Sequence, residues 1–140
     1  MKSNHIAIEV SRDEHYTSPY LKSLKENWPS LARDYRHYCH SVNPKTGELW
    51  TWTSPEGQMF FHLVLDEKGT NPHPGKLANA DRLSSFKKAL KELKKLSETE
   101  KIKNVELPKV GFHFTDQEFT LATMIVKETF LDTEIDVKFV

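Results

Sequence analysis

The hydrophobic period switches repeatedly along this chain, and that switching limits the fold more than any single residue does. Ile6, Ile8 and Val10 alternate through His5-Ile6-Ala7-Ile8-Glu9-Val10, the spacing of a strand. Leu21, Leu24 and Trp28 then follow at helical spacing, behind a Ser18-Pro19 pair suited to an N-cap and first helical position. Pro29 is expected to break that helix and Ser30 to cap a second one, carrying Leu31, Tyr35, Tyr38 and Cys39. Asn43-Pro44-Lys45-Thr46-Gly47 reads as a turn. Leu49–Thr53 is rich in β-formers, Ser54-Pro55-Glu56-Gly57 is a turn, and Met59–Leu65 is a mostly apolar run. That combination predicts a hairpin or a pair of neighbouring strands, the second well buried.

Asp66 to Leu77, with Gly69, Pro72, Pro74 and Gly75, is the longest irregular stretch. Asn79 can cap the helix whose apolar stripe is Leu83, Phe86, Leu90 and Leu93, at steps of three and four. Lys103–Pro108 is a short strand and Gly111 marks a turn. Thr115-Asp116-Gln117-Glu118 has the form of a capping box, with Phe119, Ala122, Val126 and Phe130 as the buried face behind it. Glu134–Val140 alternates as a last strand. The order β-α-α-β-β-α-β-α-β implies an α/β, three-layer domain with a mixed sheet of about five strands flanked by helices.

Composition narrows the function classes. A chain of 140 residues fits one domain, 1–140, and 11% aromatic content excludes disorder. Lys+Arg and Asp+Glu both number 20, so nucleic-acid binding, which needs a basic excess, is not expected. No apolar run approaches the ~20 residues of a membrane span, and the N-terminus lacks the apolar centre of a signal peptide. The single Cys39 excludes an internal disulfide and suits a reducing, cytoplasmic setting. His37-Tyr38-Cys39-His40 has no metal-ligand spacing, so no metal or other cofactor is expected. Lys87, Lys88, Lys91, Lys94 and Lys95 read as the wet face of a helix.

Two loops share one design. Val10–Ser18 and Val110–Thr115 each run from a strand end into a helix start. If the two strands are parallel, both loops lie at the carboxyl edge of the sheet, where α/β folds bind ligands. The candidate ligand residues are therefore Asp13, His15, Tyr16, Thr17 and Ser18 from the first loop. From the second they are Gly111, Phe112, His113, Phe114 and Thr115, with an anion near the N–H groups after Gly111. Gly111 is expected to serve an unusual backbone angle or a close approach. His113, with Phe112 and Phe114, could stack on a base or ribose; alternatively the two Phe pack inward and His113 plugs the space.

Val105-Glu106-Leu107-Pro108-Lys109-Val110-Gly111, the capped helix after it and Glu134-Ile135-Asp136-Val137-Lys138-Phe139 resemble the macrodomain family. The nearest branch is the small ADP-ribosyl-glutamate hydrolases of the terminal ADP-ribose type. Val10-Ser11-Arg12-Asp13 and the helix Leu21-Lys22-Ser23-Leu24-Lys25-Glu26-Asn27-Trp28 fall in family order, as do the Met59–Leu65 strand and the Lys-rich helix. The resemblance implies a macrodomain-like module that binds ADP-ribose or another phosphorylated nucleotide.

The departures imply a degenerate site. The family's Gly-rich first loop is here His15-Tyr16-Thr17-Ser18-Pro19-Tyr20. Its Gly-x-Gly turn and catalytic Asp are here Gly111-Phe112-His113-Phe114-Thr115-Asp116, with His113 for the second Gly and the acid one residue late. Asp66 or Glu67 stands at the branch's catalytic Lys, with Lys68 just beyond. The family's opening strand and adenine-reading carboxylate have no counterpart. Asp116 and Lys68 are the remaining catalytic candidates. Three functions follow from the resemblance: a binding module, a protein-interaction module that has lost its pocket, and a weak ADP-ribosyl hydrolase.

Overall fold

The computed structural model describes residues 5–68 and 80–140. Its strands are β1 (His5–Ser11), β2 (Leu49–Thr53), β3 (Met59–Asp66), β4 (Asn104–Leu107) and β5 (Asp136–Phe139). Its helices are α1 (Pro19–Asn27), α2 (Pro29–Val42), α3 (Ala80–Glu100) and α4 (Asp116–Thr129). The sheet order is β2-β3-β1-β4-β5, with β2 antiparallel to β3 and every other pair parallel. This is the mixed, five-stranded, three-layer α/β arrangement that the period switching predicts.

Alternation along β1 and β3 divides the core in two. Ile8, Val10, Phe60 and Val64 face α1 and α2, where they meet Leu21, Leu24, Leu31 and Tyr35. Ala7, Phe61, Leu63 and Leu65 face α3 and α4, where they meet Phe86, Leu90, Leu93 and Ala122. Covered on both faces, β3 is buried from Phe60 to Asp66, as a near-continuous apolar run should be. Trp50 and Trp52 cover the α1/α2 core from the edge strand.

Four local expectations are adjusted. Pro29 opens α2 rather than merely ending α1, and Trp28 alone joins the two helices, so Ser30 lies inside the first turn. Ser18 holds the N-cap position of α1 without a side-chain capping bond. The last strand is shorter than its alternation, and Asp66 ends β3 rather than opening a loop. The cap expected at Asn79 and the loop from Gly69 to Leu77 lie outside the described residues. The box at Thr115 forms in full: the Glu118 N–H donates to Thr115 Oγ1 at 3.1 Å, and the Thr115 N–H donates to Glu118 Oε1 at 2.9 Å.

His62 interrupts the apolar run of β3 and is fully buried. Its Nδ1 lies 3.0 Å from the Phe60 carbonyl, which can only accept. The proton therefore sits on Nδ1, and Nε2 accepts from the Tyr16 hydroxyl at 3.1 Å. Tyr35 stacks on the same ring, at 5.1 Å between centroids. Burial drops the His62 pKa to about 3. The unfolded chain takes up this proton near pH 6.5 and the folded chain does not, so acid favours unfolding. Between pH 7 and pH 5 this group alone is expected to remove about 2 kcal/mol of stability. Chemical denaturation of wild type and His62→Gln at both pH values checks this: the acid-dependent loss should shrink by that amount in the variant.

Candidate functional site

The chain leaves β1 toward the α1/α2 face and leaves β4 toward the α3/α4 face. β1 and β4 are parallel neighbours, so their exits diverge at a topological switch point. A crevice between two such exits is the usual ligand position in open α/β sheets. The 12–18 and 108–115 segments flank it.

Here the 108–115 segment is drawn onto the end of the sheet. Glu9, on the α3/α4 side of β1, is 2% exposed. Its Oε1 accepts the His113 N–H at 3.2 Å, and its Oε2 pairs with His113 Nδ1 at 2.9 Å. Arg82 of α3, 3% exposed, donates from Nη1 to the His113 carbonyl at 2.6 Å. Its Nη2 lies 3.2 Å from Asp66 Oδ1. One buried network thus joins β1, β3, α3 and the loop after β4.

The charges in this network are interdependent. Burial and the neighbouring Glu9 carboxylate push the Asp66 carboxyl up to about 8, against the pull of Arg82. Burial also acts to raise Glu9, but hydrogen bonds from His113 and Asp66 hold it below the usual carboxylate value. The hydrogen bond to Glu9 raises His113 despite partial burial. Near neutral pH the two acids share a proton, Glu9 keeps the negative charge, and His113 and Arg82 flank them.

The candidate residues from the first loop disperse. Tyr16 turns inward at φ 58° and is buried against His62 and Tyr35. Asp13 lies 3.4 Å from the Ser11 hydroxyl. His15 and Thr17 are exposed, and Ser18 is half-buried at the start of α1. Glu14 organises the loop: its Oε1 accepts the Ser11 N–H, and its Oε2 accepts those of His15 and Tyr16, all within 3.2 Å.

The second loop is packed from inside. The rings of Phe112 and Phe114 stack around Phe86 and Phe139 in the α3/α4 core, which removes them from any stacking platform in the crevice. Gly111 is not in the left-handed region, so no unusual backbone angle requires it. The close approach is real but is made by the protein itself, since a Cβ at Gly111 would lie 2.8 Å from Cδ2 of Tyr20. Four of the backbone N–H groups from Gly111 to Thr115 already have partners. Those of Gly111 and Phe112 donate to the Pro108 and Lys109 carbonyls. Those of His113 and Thr115 donate to the carboxylates of Glu9 and Glu118. Asp116 is exposed on the first turn of α4, and Lys68 is exposed beyond β3; no contact joins them among the described residues.

Glu9 and Arg82, the centre of the network, were not among the residues that the sequence pointed to. The available signal was an acid at a strand position of a central, fully covered strand, which must find a partner.

The mixed sheet, the layering and the crevice at the β1/β4 switch point define the macrodomain fold. No protein-family model matches the chain, and no curated protein is similar to it in sequence. Solved structures do match. The macrodomain of Thermus aquaticus DarG superposes with a TM-score of 0.77 at 14% identity, over 97% of this chain and 87% of that one. A Bacteroides thetaiotaomicron protein of unknown function gives 0.79 at 17%, over 99% and 88%. Thermosipho africanus DarTG in complex with ADP-ribose gives 0.76 at 12%, over 97% of this chain and 37% of that longer one.

Two predictions concern the closed crevice. Arg82→Met leaves the shared acids without their cation and should cost about 3 to 5 kcal/mol; adding Asp66→Asn should recover part of it. Gly111→Ala should cost about 1 to 3 kcal/mol by driving a methyl into the Tyr20 ring, and Tyr20→Ala should relieve it. Denaturant midpoints of the single and double variants measure both.

Proposed function

We propose that this chain is a macrodomain-type module that binds ADP-ribose or a related phosphorylated nucleotide and does not hydrolyse it. What supports the reading most directly is the superposition of nearly the whole chain on a DarTG structure that holds ADP-ribose. The ligand would lie at the β1/β4 switch point, between the 12–18 and 108–115 segments, with Asp13, His15, Thr17 and the backbone around His113 nearest to it. The resemblance of the Val105–Gly111 stretch to the terminal ADP-ribose hydrolase branch supports placing the module near that branch, and the lone, buried Cys39 suits a cytoplasmic setting. The chemistry of that branch is not supported. Asp66, rather than a lysine, ends β3, and its carboxyl is engaged by Arg82 and Glu9. Displacement of a catalytic group by even ~1 Å can cost ~100-fold in rate, and Asp116 lies one residue late.

One observation favours a second reading, a macrodomain fold used for protein interaction. Glu9 and Glu118 already occupy the N–H groups of His113 and Thr115, and two carboxylates there disfavour a phosphate. Calorimetric titration with ADP-ribose separates the two readings. In the binding reading the wild type gives a saturable isotherm. His113→Gly, which removes the imidazole that fills the crevice, then tightens it by about fivefold or more. No binding by either protein supports the interaction module instead. Release of ADP-ribose from a modified protein should be absent, and unchanged in Asp116→Ala; robust release that this variant abolishes would establish the hydrolase.

A further inference from the structure

A cavity of about 170 Å³ opens on the other side of the first loop, between residues 14–16 and the corner joining α1 to α2. It shares His15 with the first-loop side of the crevice described above but contains no residue of the 108–115 segment. Its floor is Tyr16, Pro29 and Ala32. Its walls carry three cations, Lys25 from the last turn of α1 and Arg33 and Arg36 from α2.

The corner explains why the cations converge. Trp28 alone separates the helices, its N–H bonded back to the Leu24 carbonyl at 2.8 Å, while the Leu31 N–H reaches the Trp28 carbonyl at 3.0 Å. This brings the last turn of α1 beside the first turn of α2. Leu31 and Tyr35 point into the core, which leaves Arg33 and Arg36 exposed on the outward side, three residues apart.

The positive charge is not balanced locally. Among the described residues Lys25 and Arg36 make no ion pair or side-chain hydrogen bond, and Arg33 donates only to the Ser30 hydroxyl, at 2.8 Å. The one acid at the rim is Glu14, and its two oxygens are taken by three backbone N–H groups of its own loop. Three cations facing one committed carboxylate in a concave, partly apolar pocket form an anion trap. Two guanidinium groups suit the oxygens of a tetrahedral anion, which they can grip in parallel pairs. The volume is below the roughly 300–1,000 Å³ of sites for drug-sized ligands, so it fits a phosphoryl group rather than a whole dinucleotide.

We infer that the cavity at the α1–α2 corner is a second binding site, specific for a phosphoryl dianion held by Arg33, Arg36 and Lys25. It does not depend on the ADP-ribose reading, and either can fail without the other.

The test is calorimetric titration of the intact protein with inorganic phosphate and with ribose 5-phosphate, at ionic strength held constant with chloride. A dissociation constant of about 1 mM or tighter is expected for at least one of them. A monoester is the natural cargo if ribose 5-phosphate binds the tighter, and free phosphate if it does not. Arg36→Ala and Arg33→Ala should each weaken binding about tenfold or more, and Arg36→Lys should recover only part of it, because lysine loses the paired geometry. These side chains are exposed, so the variants keep the wild-type melting temperature. Lys91→Ala, on the far helix, should leave phosphate affinity unchanged. No saturable binding of either probe, or affinity that both arginine variants leave within twofold of wild type, overturns the proposal.

Discussion

A carboxylate buried in the central strand of a sheet has to be answered by the rest of the molecule. Glu9 is that group. Its desolvation alone would cost several kcal/mol, and only hydrogen bonds and opposite charge offset such a cost. The answer comes from three directions: His113 from the segment after β4, Asp66 from the end of β3, and Arg82 from α3. Each of these elements is therefore positioned by the same acid. The consequence for the crevice is direct, since the contact that satisfies Glu9 also draws in the loop across the switch point.

The two faces of the sheet solve related problems by different means. On the α3/α4 side the polar groups are charged, paired and gathered at the carboxyl edge. On the α1/α2 side the buried polar residue is His62, kept neutral and held by Tyr16 and the Phe60 carbonyl. Tyr16 can reach it only because the backbone takes the left-handed conformation at that residue, which is unusual for a bulky side chain. The loop that a ligand-binding protein would leave open is thereby used as packing on one face and, through Glu14, as a cap on itself.

Element order, the buried run of β3 and the capping box at Thr115 were all legible in the sequence. They depend on hydrophobic period and local hydrogen-bond chemistry, which are properties of neighbouring residues. The site was legible only as a location. Two strand–loop–helix junctions could be seen, but not that Gly111 would meet Tyr20, or that Phe112 and Phe114 would both turn into one core. Arg82 was invisible because it belongs to a helix whose stripe is otherwise clear, and its partners are distant in sequence. Glu9 and His62 did break the apolar patterns of their strands. Such a break tells that a partner exists without telling which residue it is.

The position of β1 has a consequence for how the chain is assembled during synthesis. It precedes the other four strands of the sheet in the chain and sits in the middle of that sheet, yet Ile6 pairs with Phe60 and His5 with Val105. Its partners, β3 and β4, are thus made later. The α1–α2 pair and the β2–β3 hairpin, whose contacts are local, can organise first. Until then an apolar strand must wait with both edges open, a state that invites pairing with other chains. The acid at Glu9, which becomes a structural anchor in the finished sheet, is in that interval the one charge on the exposed strand, and it opposes such pairing.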